Sequence, residues 1–446
     1  DVVISNPPYG ASLRPEAEPL LNNAANYECQ GTSDSCEWFY ERALDLVHDD
    51  GVVSYIVTKS IAFYSSWSDI RARLLEETEL THVFDVGLGF VGVNLETIAL
   101  VHTLGSDGRS SSPTVHRSSD LRNTTANQPV HLGWVDQAFM LDSNTIIFRP
   151  ITDDQSDVLE RLRAHGRRLG DVMSTGDTTR QLYIPDSNKQ QLDDGDDHYI
   201  NKNPWVQEFY LEDIWHRDLS DYRESVTEYA VPRVMLKVLR GTRLRAWLDP
   251  NGEVVGTEKL VNVPLEDSRP EEIAFVYAAL NHPCASYYLQ KAIFSETTES
   301  ARVMDGQYSK PIPIPEVSAP AETAVARLAW TLTLARQLDF DSDRALSEQV
   351  QTLQTGLNAI LSALYLNIHT EAAERWCDTL DGTDVPTVRA LFERFYTERF
   401  ATAEGTPEQY WDDIEAIVNS TVETVAQWNT AQISNAHEVA VVEDVL

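Results

Sequence analysis

The chain has 446 residues, 70 of them Asp or Glu against 35 Lys or Arg, giving a formal net charge of −35. Hydrophobic residues make up 42% and aromatics 9%, enough for sizeable cores in two or three domains and too much for a disordered acidic tail protein. No uncharged apolar run approaches the roughly 18 residues of a membrane span, so no membrane partner is expected.

The four cysteines, Cys29, Cys36, Cys284 and Cys377, show neither CxxC nor metal-ligand spacing, so a reduced, cytoplasmic setting is expected. Only seven Lys accompany the 28 Arg. Acid-rich, Lys-poor composition of this kind fits a high-salt cytoplasm, as in haloarchaea, where screening shortens the Debye length to roughly 3 Å at 1 M. Net charge therefore does not decide whether nucleic acid is a partner.

The chain opens at Asp1 inside a strand pattern, and its first Met is Met140. No signal-peptide pattern is visible, and the opening is expected of a piece of a longer chain. Asp1-Val2-Val3-Ile4-Ser5 runs directly into Asn6-Pro7-Pro8-Tyr9-Gly10. After a polar loop to about Ser33, a helix is predicted over Ser35 to Val47, with Trp38, Phe39, Ala43, Leu44 and Val47 at helical spacing. Asp49-Asp50-Gly51 stops it, and Val52 to Val57 reads as a buried strand. A second helix is predicted from Ser66 to Glu77, then strands around Thr81–Val86 and Leu95–Thr103. This β-α-β-α-β order implies an α/β fold, a parallel sheet closed by a final antiparallel pair.

Residues 105–128 are rich in Ser, Asp, Arg and Asn and read as a linker. Residues 130–317 are irregular, with short strands and Gly/Pro punctuation. Beyond Ala319 the pattern is helical, and Leu346, Val350, Leu353, Leu357, Ile360 and Leu364 form a stripe expected to be bundle core.

Asn-Pro-Pro-Tyr at the carboxyl end of a parallel strand has a physical use, since ligands of such sheets bind there. Consecutive prolines fix φ and lack N–H groups, leaving rigidly aimed carbonyls. The Asn6 side-chain oxygen and the Pro7 carbonyl are two acceptors suited to an amino group whose lone pair must become nucleophilic. Pro8 completes the rigid turn, and Tyr9 offers a flat face for a planar ring. An adenine flipped from a duplex presents these features. A purely structural strand-end turn is the alternative.

The surroundings resemble the adenine-specific DNA methyltransferases of the type IIG and Taq-like restriction–modification group. The resemblance rests on Asn6-Pro7-Pro8-Tyr9, the helix and Gly51-led strand, Thr58-Lys59-Ser60, Arg71-Ala72-Arg73-Leu74-Leu75, Phe90, and the Glu96-Thr97 strand. It implies that Phe90 is the second wall against the flipped base and that the methyl donor is S-adenosyl-L-methionine. It also implies a Rossmann-like methyltransferase sheet, followed by an α+β target-recognition region and a helical C-terminal segment. Expected boundaries are 1–105 for a partial catalytic domain, 106–129 for a linker, 130–317 for target recognition, and 318–446 for the helical part. The family's cofactor loop lies upstream of Asn-Pro-Pro-Tyr, so the cofactor-binding residues are unknown in this chain. An upstream-encoded N-terminal half or a restriction subunit is an expected partner.

Gly87-Leu88-Gly89-Phe90-Val91-Gly92 matches G-x-G-x-x-G, but a phosphate loop requires a helix directly afterwards. Val93 to Val101 is strand-like, so a hairpin is expected here. No metal site is expected.

Looser fragments of the family pattern are Leu169-Gly170-Asp171-Val172 with Thr175-Gly176-Asp177, Ala278-Ala279-Leu280-Asn281-His282-Pro283, and Tyr308-Ser309-Lys310-Pro311-Ile312-Pro313-Ile314-Pro315. Between Tyr229 and Leu248 no acidic residue occurs, while Arg233, Lys237, Arg240, Arg243 and Arg245 supply positive charge. A second cluster is Arg161, Arg163, Arg167 and Arg168. Residues 318–446 hold 21 acidic and 7 basic residues. The basic stretch at 229–248 is therefore the expected contact with double-stranded DNA. The competing readings are a DNA-binding specificity subunit or inactive fragment, and an RNA or protein-glutamine methyltransferase sharing the tetrapeptide.

Overall fold

The computed structural model describes residues 1–10, 16, 19, 27–29, 31–32, 34–90, 95–105, 112–117, 130–142, 152–174, 197–200, 206–212, 215–217, 231–237, 243–256, 260–265, 268–294, 306–380, 385–402 and 407–446. The chain divides into two compact units. One comprises Asp1–Ser156 with Gln290–Arg302, the other Asp157–Leu289 with Val303–Leu446.

The first unit is built on a six-stranded sheet. Its strands are β1 (Val2–Ser5), β2 (Val52–Thr58), β3 (Thr78–Gly87), β4 (Thr97–Leu104), β5 (Thr114–Arg117) and β6 (Val130–Trp134), in the order β1-β2-β4-β3-β5-β6. β1 pairs parallel to β2, and β3 parallel to β5. β4 lies between β2 and β3 and runs antiparallel to both. The antiparallel β3–β4 pair is as expected, with β4 inserted between β2 and β3, and β5 and β6 carry the sheet past the boundary expected at 105. Thr114–Arg117, read as part of a linker, is a strand held on both sides.

Helix α1 (Ser35–Leu46) begins at Asp34, whose side chain accepts the Cys36 N–H. Such an N-cap satisfies one of the donors that the first turn leaves open. Tyr40 is buried and meets Tyr55 of β2 at 4.7 Å between ring centroids, with its hydroxyl 2.9 Å from His102 Nε2 of β4. Phe39, expected among the buried positions, is 49% exposed. Helix α2 (Ser68–Glu77) follows two short 3-10 turns. Its Arg73 pairs with Glu41 and Asp45 of α1, so both helices lie over the same face of the sheet. That face carries Val53, Tyr55 and Val57, Leu100 and His102, Val83 and Val115, all buried. The alternate residues, Ile4, Ile56, Ala99, Val101 and Phe84, are exposed or half-buried.

The second unit contains three small β assemblies. β7 (Asp197–Ile200) lies between β10 (Trp215–Arg217) and β13 (Val254–Gly256), and β8 (Val206–Gln207) pairs with β9 (Tyr210–Leu211). β11 (Arg233–Lys237) lies between β12 (Ala246–Asp249) and β14 (Leu260–Pro264), antiparallel to both. Helix α5 (Pro270–Asn281) supports this sheet; its Asn281 side chain pairs with both backbone groups of Ala246. A short helix α4 (Asp153–Ala164) precedes these strands.

Helix α6 (Ala319–Asp341) packs against α5, with Tyr277 and Thr333 hydroxyls 3.1 Å apart. Around it gather α7 (Ser347–Leu366), α8 (Thr370–Thr379), α9 (Val385–Thr402) and α10 (Trp411–Val425). Leu353, Leu357 and Ile360 are fully buried, so the stripe is bundle core as expected. Because these helices pack on α5, residues 157–289 and 303–446 form one unit rather than separating near 317. Among the described residues no helix is long and apolar enough to cross a membrane.

Candidate active site at the carboxyl ends of the strands

β1 ends at Ser5, and Asn6-Pro7-Pro8-Tyr9 leaves its carboxyl end beside that of β2. Three contacts hold the turn. The Ser35 hydroxyl donates to the Pro8 carbonyl at 2.9 Å, and Gly10 N–H donates to Asp34 Oδ1 at 3.0 Å. The Tyr9 hydroxyl lies 2.7 Å from the Ile56 carbonyl oxygen and 2.5 Å from Asn6 Oδ1. Its single proton serves one of these two acceptors. Gly10 takes a positive φ of 55°, a conformation glycine adopts without a Cβ penalty.

Asn6 is exposed, Pro7 buried and Tyr9 half-buried. An amide oxygen has two lone pairs, so Asn6 Oδ1 keeps one beyond its contact with Tyr9. Among the described residues the Pro7 carbonyl has no hydrogen-bond donor. Two acceptors therefore stand at the strand end. Burial pushes the Tyr9 phenol well above its ordinary range, with Cys36 and Asp34 adding to the effect. The hydroxyl thus stays a neutral donor.

Phe90 is half-buried, and its ring centroid lies 6.4 Å from that of Tyr9 at an interplanar angle of 56°. A flat base between two rings needs about 7 Å, twice the roughly 3.5 Å contact distance. The 6.4 Å spacing is close to that width.

A buried charged cluster joins Lys59 and Glu96, both within motifs noted in the sequence, to Asp85. Lys59 Nζ is 3.1 Å from both carboxylate oxygens of Asp85 and 3.5 Å from Glu96 Oε2. All three residues are buried. Lys59 N–H also donates to the Glu96 carbonyl at 2.9 Å. The available signal was Asp85 within the apolar run His82-Val83-Phe84-Asp85-Val86, because a buried carboxylate demands a partner. Asp34 and Ser35 carried a signal too: Asp34 followed three residues later by Glu37 is a helix-start pattern.

The G-x-G-x-x-G segment joins β3 to β4, which pair antiparallel up to Gly87 and Thr97. Among the described residues the next element after Phe90 is the strand β4, and no helix stands between them; residues 91–94 lie outside the described set. Among the described residues no group of three His, Cys, Asp or Glu is placed to hold a metal ion.

The expected DNA-contacting residues separate. Arg233 is 1% exposed, and its guanidinium lies 3.3 Å from Asp249, directly opposite it in the β11–β12 register. This corrects the expectation for Arg233, which is a cation of the interior. Arg245 hydrogen bonds to Gln207 and is half-buried, while Arg243 is exposed. Lys237 ends β11, and Arg240 lies outside the described residues.

The second Arg cluster is engaged within the fold. Arg161 reaches the Leu366 carbonyl and Glu438, Arg167 pairs with Glu272, and Arg168 donates to the Arg163 carbonyl. Two fragments singled out in the sequence meet in the fold. Leu169 N–H donates to the Ile312 carbonyl, and Gly170 N–H to that of Lys310. His282 caps the helix that begins at Pro283, so its fragment is structural.

Residues 1–90 match the family described as Eco57I restriction-modification methylase. No curated protein matches the chain significantly in sequence. Among solved structures, the chain is similar to the type IIL restriction-modification enzyme MmeI in complex with DNA, at 10% identity and a TM-score of 0.48. That match covers 89% of this chain and 57% of MmeI. The type IIG restriction endonuclease BpuSI matches at 13% identity and TM-score 0.32, over 87% of this chain and 53% of that one. For the DrdV–DNA complex the values are 15%, 0.37, 96% and 56%. The chain thus spans little more than half the length of these proteins.

Proposed function

We propose that Asn6–Tyr9 and Phe90 form the target-base site of an S-adenosylmethionine-dependent DNA adenine-N6 methyltransferase, acting in restriction–modification or phage defence. The observation that carries this reading is the pair of acceptors, Asn6 Oδ1 and the Pro7 carbonyl, beside two aromatic rings 6.4 Å apart. The match of residues 1–90 to a restriction-modification methylase family supports it.

Asn6 and Pro7 accept hydrogen bonds from the adenine amino group, localising its lone pair on nitrogen. Tyr9 and Phe90 hold the flipped ring flat, which fixes the direction of attack. S-adenosylmethionine, when bound, supplies an electrophilic methyl carbon. With its lone pair localised and its ring held flat, the amino nitrogen would be presented as the nucleophile, and its surplus proton would leave to solvent. Double-stranded DNA is the proposed substrate, with the exposed Arg243 as one proposed phosphate contact.

The proposal includes a further α/β segment that pairs with β1 and brings the methyl donor, either on the same polypeptide or encoded upstream. Val2 and Ile4 of the edge strand β1 are 64% and 77% exposed. Parallel strands ordinarily have both faces covered, so this edge favours such a partner.

The test is mass spectrometry of nucleosides from duplex DNA incubated with S-adenosylmethionine and the complete enzyme. N6-methyladenine is expected. Methylated cytosine, or methylation of RNA or protein alone, contradicts the proposal.

A further inference from the structure

We infer that Lys59 is a positioning residue, which sets the Phe90 wall of the base site by tying both ends of the Phe90 connection to strand β2. The inference rests on the base-site reading. Phe90 lies in the link between β3 and β4. Asp85 stands two residues before the end of β3, and Glu96 immediately precedes β4. Lys59, directly after β2, holds Asp85 through two 3.1 Å contacts and Glu96 through its ammonium and its backbone N–H.

The same strand also holds the other ring, since Ile56 of β2 accepts the Tyr9 hydroxyl. Two residues, Ile56 within the strand and Lys59 in the 3-10 turn directly after it, therefore anchor the two walls. With Lys59, Asp85 and Glu96 each at most 3% exposed, water does not compete for these contacts. Loss of the ammonium alone would take this buried counter-ion from both Asp85 and Glu96.

The test compares four variants of the complete methyltransferase. Asn6→Ala and Phe90→Ala probe the base site. Lys59→Met/Asp85→Asn/Glu96→Gln removes all three charges together, so that no unpaired carboxylate remains inside. Glu96→Gln loosens one arm and keeps the Lys59–Asp85 pair. The readouts are kcat, KM for S-adenosylmethionine, and emission of 2-aminopurine placed at the target adenine of a duplex.

The triple variant is expected to lose roughly 10- to 100-fold in kcat with unchanged KM for the methyl donor. Its 2-aminopurine emission is expected to reproduce that of Phe90→Ala, with Glu96→Gln in between. A purely structural cluster does not move that emission. Wild-type kcat and emission in the triple variant, alongside inactive Asn6→Ala, overturns the positioning role and leaves the base site standing. Full activity in both Asn6→Ala and Phe90→Ala removes the base-site reading and this inference with it.

Discussion

The Tyr9 hydroxyl stands between Asn6 Oδ1 and the Ile56 carbonyl, and so links the polar half of the site to the sheet. Tyr9→Phe keeps the ring and deletes this link. A net hydrogen bond is worth about 0.5–1.5 kcal/mol, so a loss of up to about 10-fold in kcat is expected. Tyr9→Ala, which also removes the ring face, is expected to lose more; equal effects in steady-state assays contradict the stacking role.

Arg233 gives a different residue-scale prediction. Removing one partner of a buried ion pair costs about 3–5 kcal/mol, so Arg233→Ala is expected to destabilise the second unit by that order in urea unfolding. DNA affinity of the remaining folded protein is expected to stay unchanged. The misassignment has a simple origin. The acid-free stretch ends at Leu248, and the partner of Arg233 is Asp249, brought opposite it only by the β11–β12 turn. Asn6 to Tyr9, by contrast, were legible because four neighbouring residues carry the acceptors and the first ring. Asp34 and Ser35 carried only a helix-start signal, and their hold on the turn was not legible because a long stretch of sequence separates them from it.

At the scale of elements, long apolar patterns gave reliable strands and helices, while short pieces did not. β5 has four residues, too few for periodicity to register. α2 begins at Ser68 rather than Ser66 because two 3-10 turns precede it. Helix packing allows a sharper test at Gly356, within α7. A Cβ there would lie 2.4 Å from Val425 Cγ1 and 3.2 Å from the Trp428 ring. Alanine gains about 1 kcal/mol in helix propensity, but overpacking costs about 1–3 kcal/mol. Gly356→Ala is therefore expected to lower the unfolding midpoint; a raised midpoint contradicts the close α7–α10 approach.

At the scale of the whole molecule, the net charge of −35 predicts that salt stabilises the fold until self-repulsion is screened, measurable as a rising Tm up to about 1 M. Titration adds two opposing terms. Burial lowers His102 and His282 to about 3 from an ordinary 6.5. Their unfolded forms take up protons first, so stability present above pH 6.5 is lost as pH falls from there toward 3. Burial raises Glu37 to about 7 from 4.5. Its folded form holds the proton more tightly, so its contribution is full below pH 4.5 and is lost as pH rises through 7. Glu37→Gln is expected to be more stable relative to wild type at pH 8 than at pH 5. An unchanged difference in Tm between the two pH values contradicts the assignment.

The base site is tested most directly by transfer of labelled methyl groups from S-adenosylmethionine to duplex DNA, with wild-type and Asn6→Ala enzymes compared under the same conditions. The expected result is label in N6-methyladenine for the wild type and loss of transfer in Asn6→Ala, with its folding retained. Undiminished transfer by Asn6→Ala would contradict the account.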